Sequence, residues 1–357
     1  MPEMPRVEHR PVDESDMPRR SAAPSAGLTT PGTAAQQDNG VRGQWVELPE
    51  RFSFTFAGLF LGAVSVRCLT LQRPLGQPPY PLKSWPFDQL PEGVRALHIC
   101  SQTISAKLPR VSRLGRGICY VPLQGKRFFI DLNGSFEAYL GKFRERSRHY
   151  MKRNVRRFAR ACGGSVLWRE FRDATDMAEF HSLACEVSRK TYQHRLLRAG
   201  FDTSSSFREE MVRDASAGHV RGYILFRQQT PIAYMFCRAR GGDLVFEKTG
   251  FDSSLAAHSP GFVLLWFALQ RLFADGEFRR FDFGEGEYPH KEHMATHSVD
   301  VAEIYCFRWN FHNVALVVIH SGVVAAANLL TSTLKTLGIA QRLKKMIRHG
   351  INQASRS

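Results

Sequence analysis

Closely spaced cysteines are missing from this 357-residue chain: the seven stand at 68, 100, 119, 162, 185, 237 and 306, no two closer than 19 residues. That excludes CxxC redox and zinc-ribbon spacings, and an odd, scattered set reads as buried free thiols in a reducing compartment. No long uninterrupted apolar run is present either. The longest stretch, Val314 to Leu330, is broken by His320, Ser321, Gly322 and Asn328 and falls short of the ~20 apolar residues that span a bilayer. Residues 1–44 carry Pro, Ser, Ala and charge without an apolar h-region, so they predict a disordered tail rather than a signal peptide or anchor. A cytoplasmic protein is the resulting expectation.

Acidic residues are comparatively few, 33 Asp and Glu against 49 Lys and Arg, which leaves a formal charge of +16 and a surface attractive to phosphates, nucleic acid or acidic lipid. Hydrophobic residues make up 43%, enough for one large or two modest cores and too many for a disordered chain. No internal repeat is visible.

Along the chain, Trp45 to Leu75 mixes short apolar clusters with turn residues, and residues 77–91 form a Pro-rich connector. Residues 93–106 predict a strand, and residues 117–132 a hairpin about Gln124-Gly125-Lys126. Ser135 as N-cap opens a long helix that reaches Phe158, with Phe143, Tyr150 and Phe158 inward; a second helix covers Ala174 to Leu197. Residues 220–251 then form a three-stranded meander with turns at 228–231 and 241–243. Ser259 and Pro260 open a helix that is apolar nearly all round and closes at Gly276. A short strand, Arg280 to Phe283, a loop, a helical turn and a last strand, Val301 to Trp309, complete the pattern.

Three features bear on chemistry. The helix opening at Ser259-Pro260-Gly261-Phe262 offers backbone N–H groups suited to a phosphate, or is an ordinary capped helix. Between Lys142 and Arg160 stand nine Lys or Arg, including Arg153 and Arg157, against one acid, Glu145. Such a stripe repels itself and suits an anionic partner; its plainer reading is a solvated face. His290, His293 and His297, near Glu287 and Glu292, lack both the HExxH pattern and a Cys ligand, so no metal is expected. Near the C-terminus, Leu334 to Ile347 alternates apolar and basic residues; it suits peripheral contact with an anionic membrane face, or packing on the folded body.

The stretches SRHYMKRNVRR (147–157), RKTYQHRL (189–196), PIAYMFCRARGGDLVFEKTGFDSS (231–254), HSPGFVLLWFALQRLFADGEFRRFDFGEGEYPHKEHM (258–294) and EIYCFRW (303–309), in that order, resemble the GNAT superfamily. The likeness is to its bacterial BioF2-like (CelD-like) acyltransferase domain and, distantly, to Fem-type peptidyltransferases. It implies an α/β (α+β) fold, a GNAT-type mixed sheet flanked by helices. The layout it suggests is a tail (1–44), an N-terminal lobe that is a partial second GNAT-like unit (45–128), the acyltransferase domain (129–312) and apolar then basic C-terminal helices (313–357).

The resemblance further implies acetyl-CoA or another acyl-CoA as cosubstrate, with strand 244–251 lining a cleft and Ser259, Pro260, Gly261 and Phe262 holding the pyrophosphate. Two departures stand out: a single glycine where relatives have a Gly-rich loop, and Met294 where many carry an aromatic residue. Glu247 is the candidate base, or a sheet carboxylate paired with Lys248 or Arg238. Asp282 follows as a strand-end candidate facing the ligand, Tyr288 as proton donor to the departing thiolate, and Lys291 as a grip on phosphate or an acceptor carboxylate. Asp252 is a family match or a turn former, while Tyr192, Gln193 and the weaker His194 border the acceptor. The expected activity is acyl transfer from CoA to an amine of a small-molecule or cell-envelope (polysaccharide) precursor. Alternatives are a Fem-type transferase using aminoacyl-tRNA and a non-catalytic domain that tethers to membrane or polyanion.

Overall fold

The computed structural model describes residues 7–8, 45–56, 59–80, 90–191, 200–284, 286 and 288–336. The disordered-tail expectation therefore falls almost wholly outside the described residues, as do Tyr192, Gln193 and His194 and most of the basic C-terminal segment. The chain divides into two compact units, one containing Arg127–Ser298 and the other Val41–Lys126 with Val299–Ser357. The last strand, expected within the acyltransferase domain, thus belongs almost entirely with residues 41–126.

In the first unit the meander forms as expected: β7 (Val220–Arg227), β8 (Thr230–Arg240) and β9 (Asp243–Phe251) pair antiparallel in sequence order. Strand β6 (Val166–Phe171) adds to β7, and β10 (Arg280–Asp282) lies parallel to β9 and antiparallel to the end of β5 (Gly117–Asp131). The period of two sorts side chains to two cores. Tyr223, Leu225, Ala233, Met235 and Cys237 face α5 (Pro260–Asp275), while Ile224, Tyr234 and Phe236 face Met177 and Phe180 of α3 (Ala174–Arg189) and Met211 of α4 (Ser205–Ser216). Helix α5 is buried on nearly every side, from Val263 through Phe273, because it lies between the sheet and helices α1 (Phe136–Gly141) and α2 (Glu145–Ala161). Gly276 closes it at φ 62°, a conformation open to glycine without steric cost.

Several expectations need correction. The single helix from Ser135 is two, broken at Lys142 to Arg144. The break resets the helical phase, so Tyr150 points out, 56% exposed beneath the Arg153 guanidinium, and Met151, Asn154, Val155 and Phe158 point in. No hairpin forms at Gln124-Gly125-Lys126. Strand β5 runs straight through, and its turn lies earlier, where Gly115 takes φ 53° between β4 (Val111–Leu114) and β5. The helix expected to reach Leu197 ends at Arg189 in α3, and β6 and α4 were not anticipated.

The second unit has the strand order β5, β11 (His297–Arg308), β3 (Ala96–Thr103), β2 (Leu59–Gln72), β1 (Trp45–Phe56). Residues 45–72 are thus two long antiparallel strands rather than short clusters with turns. Pro49 hides the pattern, yet it is tolerated because β1 ends the strand order, where a missing N–H leaves no ladder bond unmade. The apolar stretch from Val314 lies in α7 (Phe311–Thr336); among the described residues no helix is long and apolar enough to cross a membrane.

Gly222 is one of the tight core contacts of the meander: a Cβ there would come within 2.6 Å of the fully buried Phe180 ring. Gly222→Ala is expected to cost about 1–3 kcal/mol in urea unfolding, with the slope unchanged. An unaltered midpoint would show that the Phe180 ring has room to retreat.

Candidate active site

Strand β10 pairs along its whole length with the first three residues of β9 only, Asp243 with Arg280, Leu244 with Phe281 and Val245 with Asp282. The first of these pairs is a fork: Arg280 donates from Nε and a terminal nitrogen to the two Asp243 oxygens, both at 2.8 Å. Burial pushes the Asp243 carboxyl up, against the pull of Arg280.

Beyond Val245 the strands part. Asp282 is 1% exposed, and Arg127 donates to its carboxylate from Nε at 2.9 and 3.0 Å and from a terminal nitrogen at 2.6 Å. The same carboxylate accepts from Gly284 N–H at 2.8 Å, a turn of the chain about the aspartate side chain. Gly284 takes φ 67°, which ends β10, while β9 continues to Phe251. Asp252, just after β9, makes a similar turn, its Oδ1 accepting from Ser254 N–H at 2.9 Å and the Ser254 hydroxyl at 2.7 Å. Two neighbouring parallel strands therefore end on aspartate-centred turns, and the chain leaves them in different directions. Such a divergence at the carboxyl ends of parallel strands is where α/β sheets place ligands.

The expected site residues fall into three groups. At the end of β10, Asp282 holds Gly284, and Lys291, 6% exposed, donates to the Gly284 carbonyl at 3.5 Å. Its Nζ stands 5.3 Å from the ring centre of Tyr288, which is 56% exposed, and α6 (Pro289–Met294) carries the lysine. Met294 is buried, and its carbonyl accepts from the Tyr139 hydroxyl at 2.8 Å, tying α6 to α1.

At the end of β9 are the residues expected to hold pyrophosphate. Ser259 caps α5 in a left-handed conformation, φ 51°, but without a side-chain cap bond; Phe262 and Val263 N–H both bond the Ser259 carbonyl. Gly261 lies under Phe251, whose ring a Cβ would meet at 3.4 Å. Arg157 donates to the Ala257 carbonyl at 2.5 Å, tying the basic helix α2 to this turn, and Arg153 is exposed beside it.

Glu247 stands apart from both groups. It is the extra residue of a bulge between Phe246 and Lys248, and the bulge directs it to Arg240 at 2.6 Å and Arg238 at 3.3 Å. Arg238 also pairs Glu210 and Asp214 of α4, so Glu247 belongs to a charge cluster on that side of the sheet. Taking a proton would require it to leave two guanidinium groups. The histidines do not converge: His297 stacks on Phe129 and bonds Thr296, while His290 stacks on Tyr288. The buried Arg127 was missed from sequence, since its partner lies 155 residues away.

Residues 145–292 match the family model described as acetyltransferase (GNAT) domain. This stretch is a GNAT domain. Among solved structures, similarity extends to FemX, at 9% identity over 74% of this chain and 89% of that one, with a TM-score of 0.44. The C-terminal domain of a protein assigned as a lysylphosphatidylglycerol synthetase of Agrobacterium fabrum is similar at 12% identity, over 65% of this chain and 73% of that one, with a TM-score of 0.44. The PaiA N-acetyltransferase of Thermoplasma acidophilum, solved with coenzyme A, gives 13%, 31% of this chain, 75% of that one and 0.23. No curated protein sequence matches the chain.

The Arg127–Asp282 pair, which ties the GNAT domain to the preceding strand β5, is a deeply buried link at the site. Removing one partner, as in Arg127→Ala, is expected to cost about 3–5 kcal/mol in urea unfolding because the other charge stays buried alone. The double variant Arg127→Met with Asp282→Leu should recover most of that loss. If Arg127→Ala costs less than about 1 kcal/mol, the pair does not hold the end of β10.

Proposed function

We propose that the GNAT domain transfers an acyl group from a CoA thioester to an amine of a small-molecule or cell-envelope-precursor acceptor. The observation that carries this reading is that, among the described residues, β9 has no ladder partner on the β10 side beyond Val245, where β10 ends. A strand edge presents alternate N–H and C=O groups, and the amides of a pantetheine arm match them as an added strand would. The α5 start at the end of the same strand then suits the pyrophosphate, with Gly261 adding no side chain to the space that the Phe251 ring borders.

In the transfer itself the amine attacks the thioester carbonyl, the tetrahedral intermediate expels the thiolate, and a proton must leave the nitrogen and reach the sulfur. Tyr288 is exposed with its ring beside a buried ammonium, a placement suited to donating that proton to sulfur. Lys291 supplies positive charge near the developing anion. Asp282 and Glu247 act as positioning groups, one ending β10 and the other fixing the bulge of β9. Solvent or the acceptor's own buffering base takes the ammonium proton.

The basic face of α2 favours one alternative donor, aminoacyl-tRNA. Arg146, Arg153, Arg157 and Arg160 on the helix, with Lys142 and Arg144 just before it, are all exposed, and a row of that kind attracts a polynucleotide with strong salt dependence.

Native mass spectrometry and melting shifts with acetyl-CoA, longer acyl-CoAs and tRNA separate the two. The expected result is saturable stabilisation by a CoA thioester, weakened at least about tenfold, some 1.4 kcal/mol, in Gly261→Val without loss of the apo fold. Once an acceptor amine is found, Tyr288→Phe should lower kcat by about 10²–10⁴ with little change in KM. Saturable tRNA binding with indifference to every CoA thioester would replace the proposal by the alternative.

A further inference from the structure

The second unit holds a polar cluster that the transferase reading does not use. His98 of β3 is 4% exposed, and both ring nitrogens meet carboxylates: Nδ1 lies 2.9 Å from Glu50 Oε1 and Nε2 lies 2.8 Å from Glu303 Oε2. Cys100 Sγ stands 3.6 Å from each ring nitrogen. The Tyr305 ring stacks on the imidazole at 4.0 Å, fixing its plane.

The backbone builds this convergence at a local cost. Register along β3 and β11 pairs His98 with Tyr305 and Ile99 with Ile304, and then slips, leaving Cys100 and Ser101 opposite Glu303 alone. Ser101 takes φ 51°, an unfavourable conformation for a residue with a Cβ, while 3% exposed. Bulges and strained residues of this kind re-aim side chains and gather at functional sites. Here the Ser101 N–H and hydroxyl both bond Glu303 Oε1, at 2.6 and 3.2 Å, leaving Oε2 aimed at His98.

We propose that His98 Nε2, Cys100 Sγ and Glu303 Oε2 form a binding site for a zinc-type divalent cation. The donor set mixes borderline nitrogen, thiolate sulfur and carboxylate oxygen, which suits Zn²⁺ and its spectroscopic substitute Co²⁺ rather than Mg²⁺ or Ca²⁺. Tetrahedral zinc with bonds of about 2.05 Å to nitrogen and 2.3 Å to sulfur separates those donors by about 3.6 Å. Cys100 Sγ already stands that far from Nε2, but equally far from Nδ1, so binding requires a rotation of the Cys100 side chain toward the Nε2 side. The nitrogen–oxygen separation opens by about 0.5 Å on binding, within reach of a carboxylate rotation.

Outer groups are also in place. Glu50 accepts from Nδ1–H, which leaves Nε2 as the ligating nitrogen, an arrangement that orients metal-bound histidines generally. A water completes the fourth position. Thr70 pairs with His98 in the parallel β2–β3 register, so the two share a face, and its Oγ1 is buried with no partner among the described residues. That hydroxyl fits a metal-bound water. Binding displaces the thiol proton of Cys100 and the proton on Nε2 to solvent, so the charge of the ion is largely compensated within the site. Cys100 is only half-buried, which gives the ion an entry path. The site is independent of the transferase reading.

The test uses the full chain, stripped with chelator and titrated with Co²⁺. One equivalent should produce a near-ultraviolet thiolate-to-cobalt charge-transfer band and intense visible tetrahedral bands, both removed by Zn²⁺. Cys100→Ser, a mild change at a half-buried position, should abolish the charge-transfer band while circular dichroism stays native. Glu50→Gln should weaken binding about 10–100-fold. Cys162→Ser, in the other unit, should change nothing. No stoichiometric cobalt spectrum from folded protein, or a charge-transfer band that survives in Cys100→Ser, overturns the assignment.

Discussion

The point at which β10 stops decides the shape of the candidate active site. Asp282 is shared between Arg127, across the neighbouring strand, and Gly284 N–H, two residues on. The first contact anchors the aspartate in the core, and the second bends the chain away from the ladder. Neither suffices alone: a strand end without the arginine would leave a buried charge, and a paired aspartate without the turn would let the strand continue. Strand β9, released from its neighbour after Val245, runs on to Phe251 and delivers the chain to the start of α5. The gap between the strands thus follows from an ion pair in the core rather than from loop disorder.

Much of this was legible from local pattern. Alternation and turn residues marked the meander, and Ser259, Pro260 and Gly276 marked both ends of α5. Asp252 was readable as a turn former, and Glu247 as a sheet carboxylate paired with Arg238. What escaped notice was mostly non-local. Arg127 and Asp282 are 155 residues apart, and His98 and Glu303 are 205 apart, so no window along the chain contains either pair. The other misses came from edges and breaks. Pro49 concealed an edge strand, and Gly141 with Lys142 split a helix whose charge pattern alone looked continuous. Gly125 looked like a turn but takes no positive φ, because β5 had its turn at Gly115 already.

The two units rely on polar burial differently. In the GNAT-containing unit the sheet is closed by apolar packing on both faces, and ion pairs such as Asp243–Arg280 and Arg127–Asp282 set where strands meet and part. In the other, a bulge with a strained serine gathers an imidazole, a thiol and two carboxylates onto one face. Buried polar groups are costly unless satisfied, so each such cluster marks a place where the fold has given up stability for geometry.

Residue-resolved hydrogen exchange across β9, with and without acetyl-CoA, tests the central claim most directly. In free protein, amides at 243–245 should exchange slowly while alternate amides from 246 to 251, those turned away from β8, exchange fast; acetyl-CoA should slow that second set together with the first turn of α5. Slow exchange along the whole of β9 in free protein, or fast amides unmoved by saturating ligand, would contradict a cleft between the two strands.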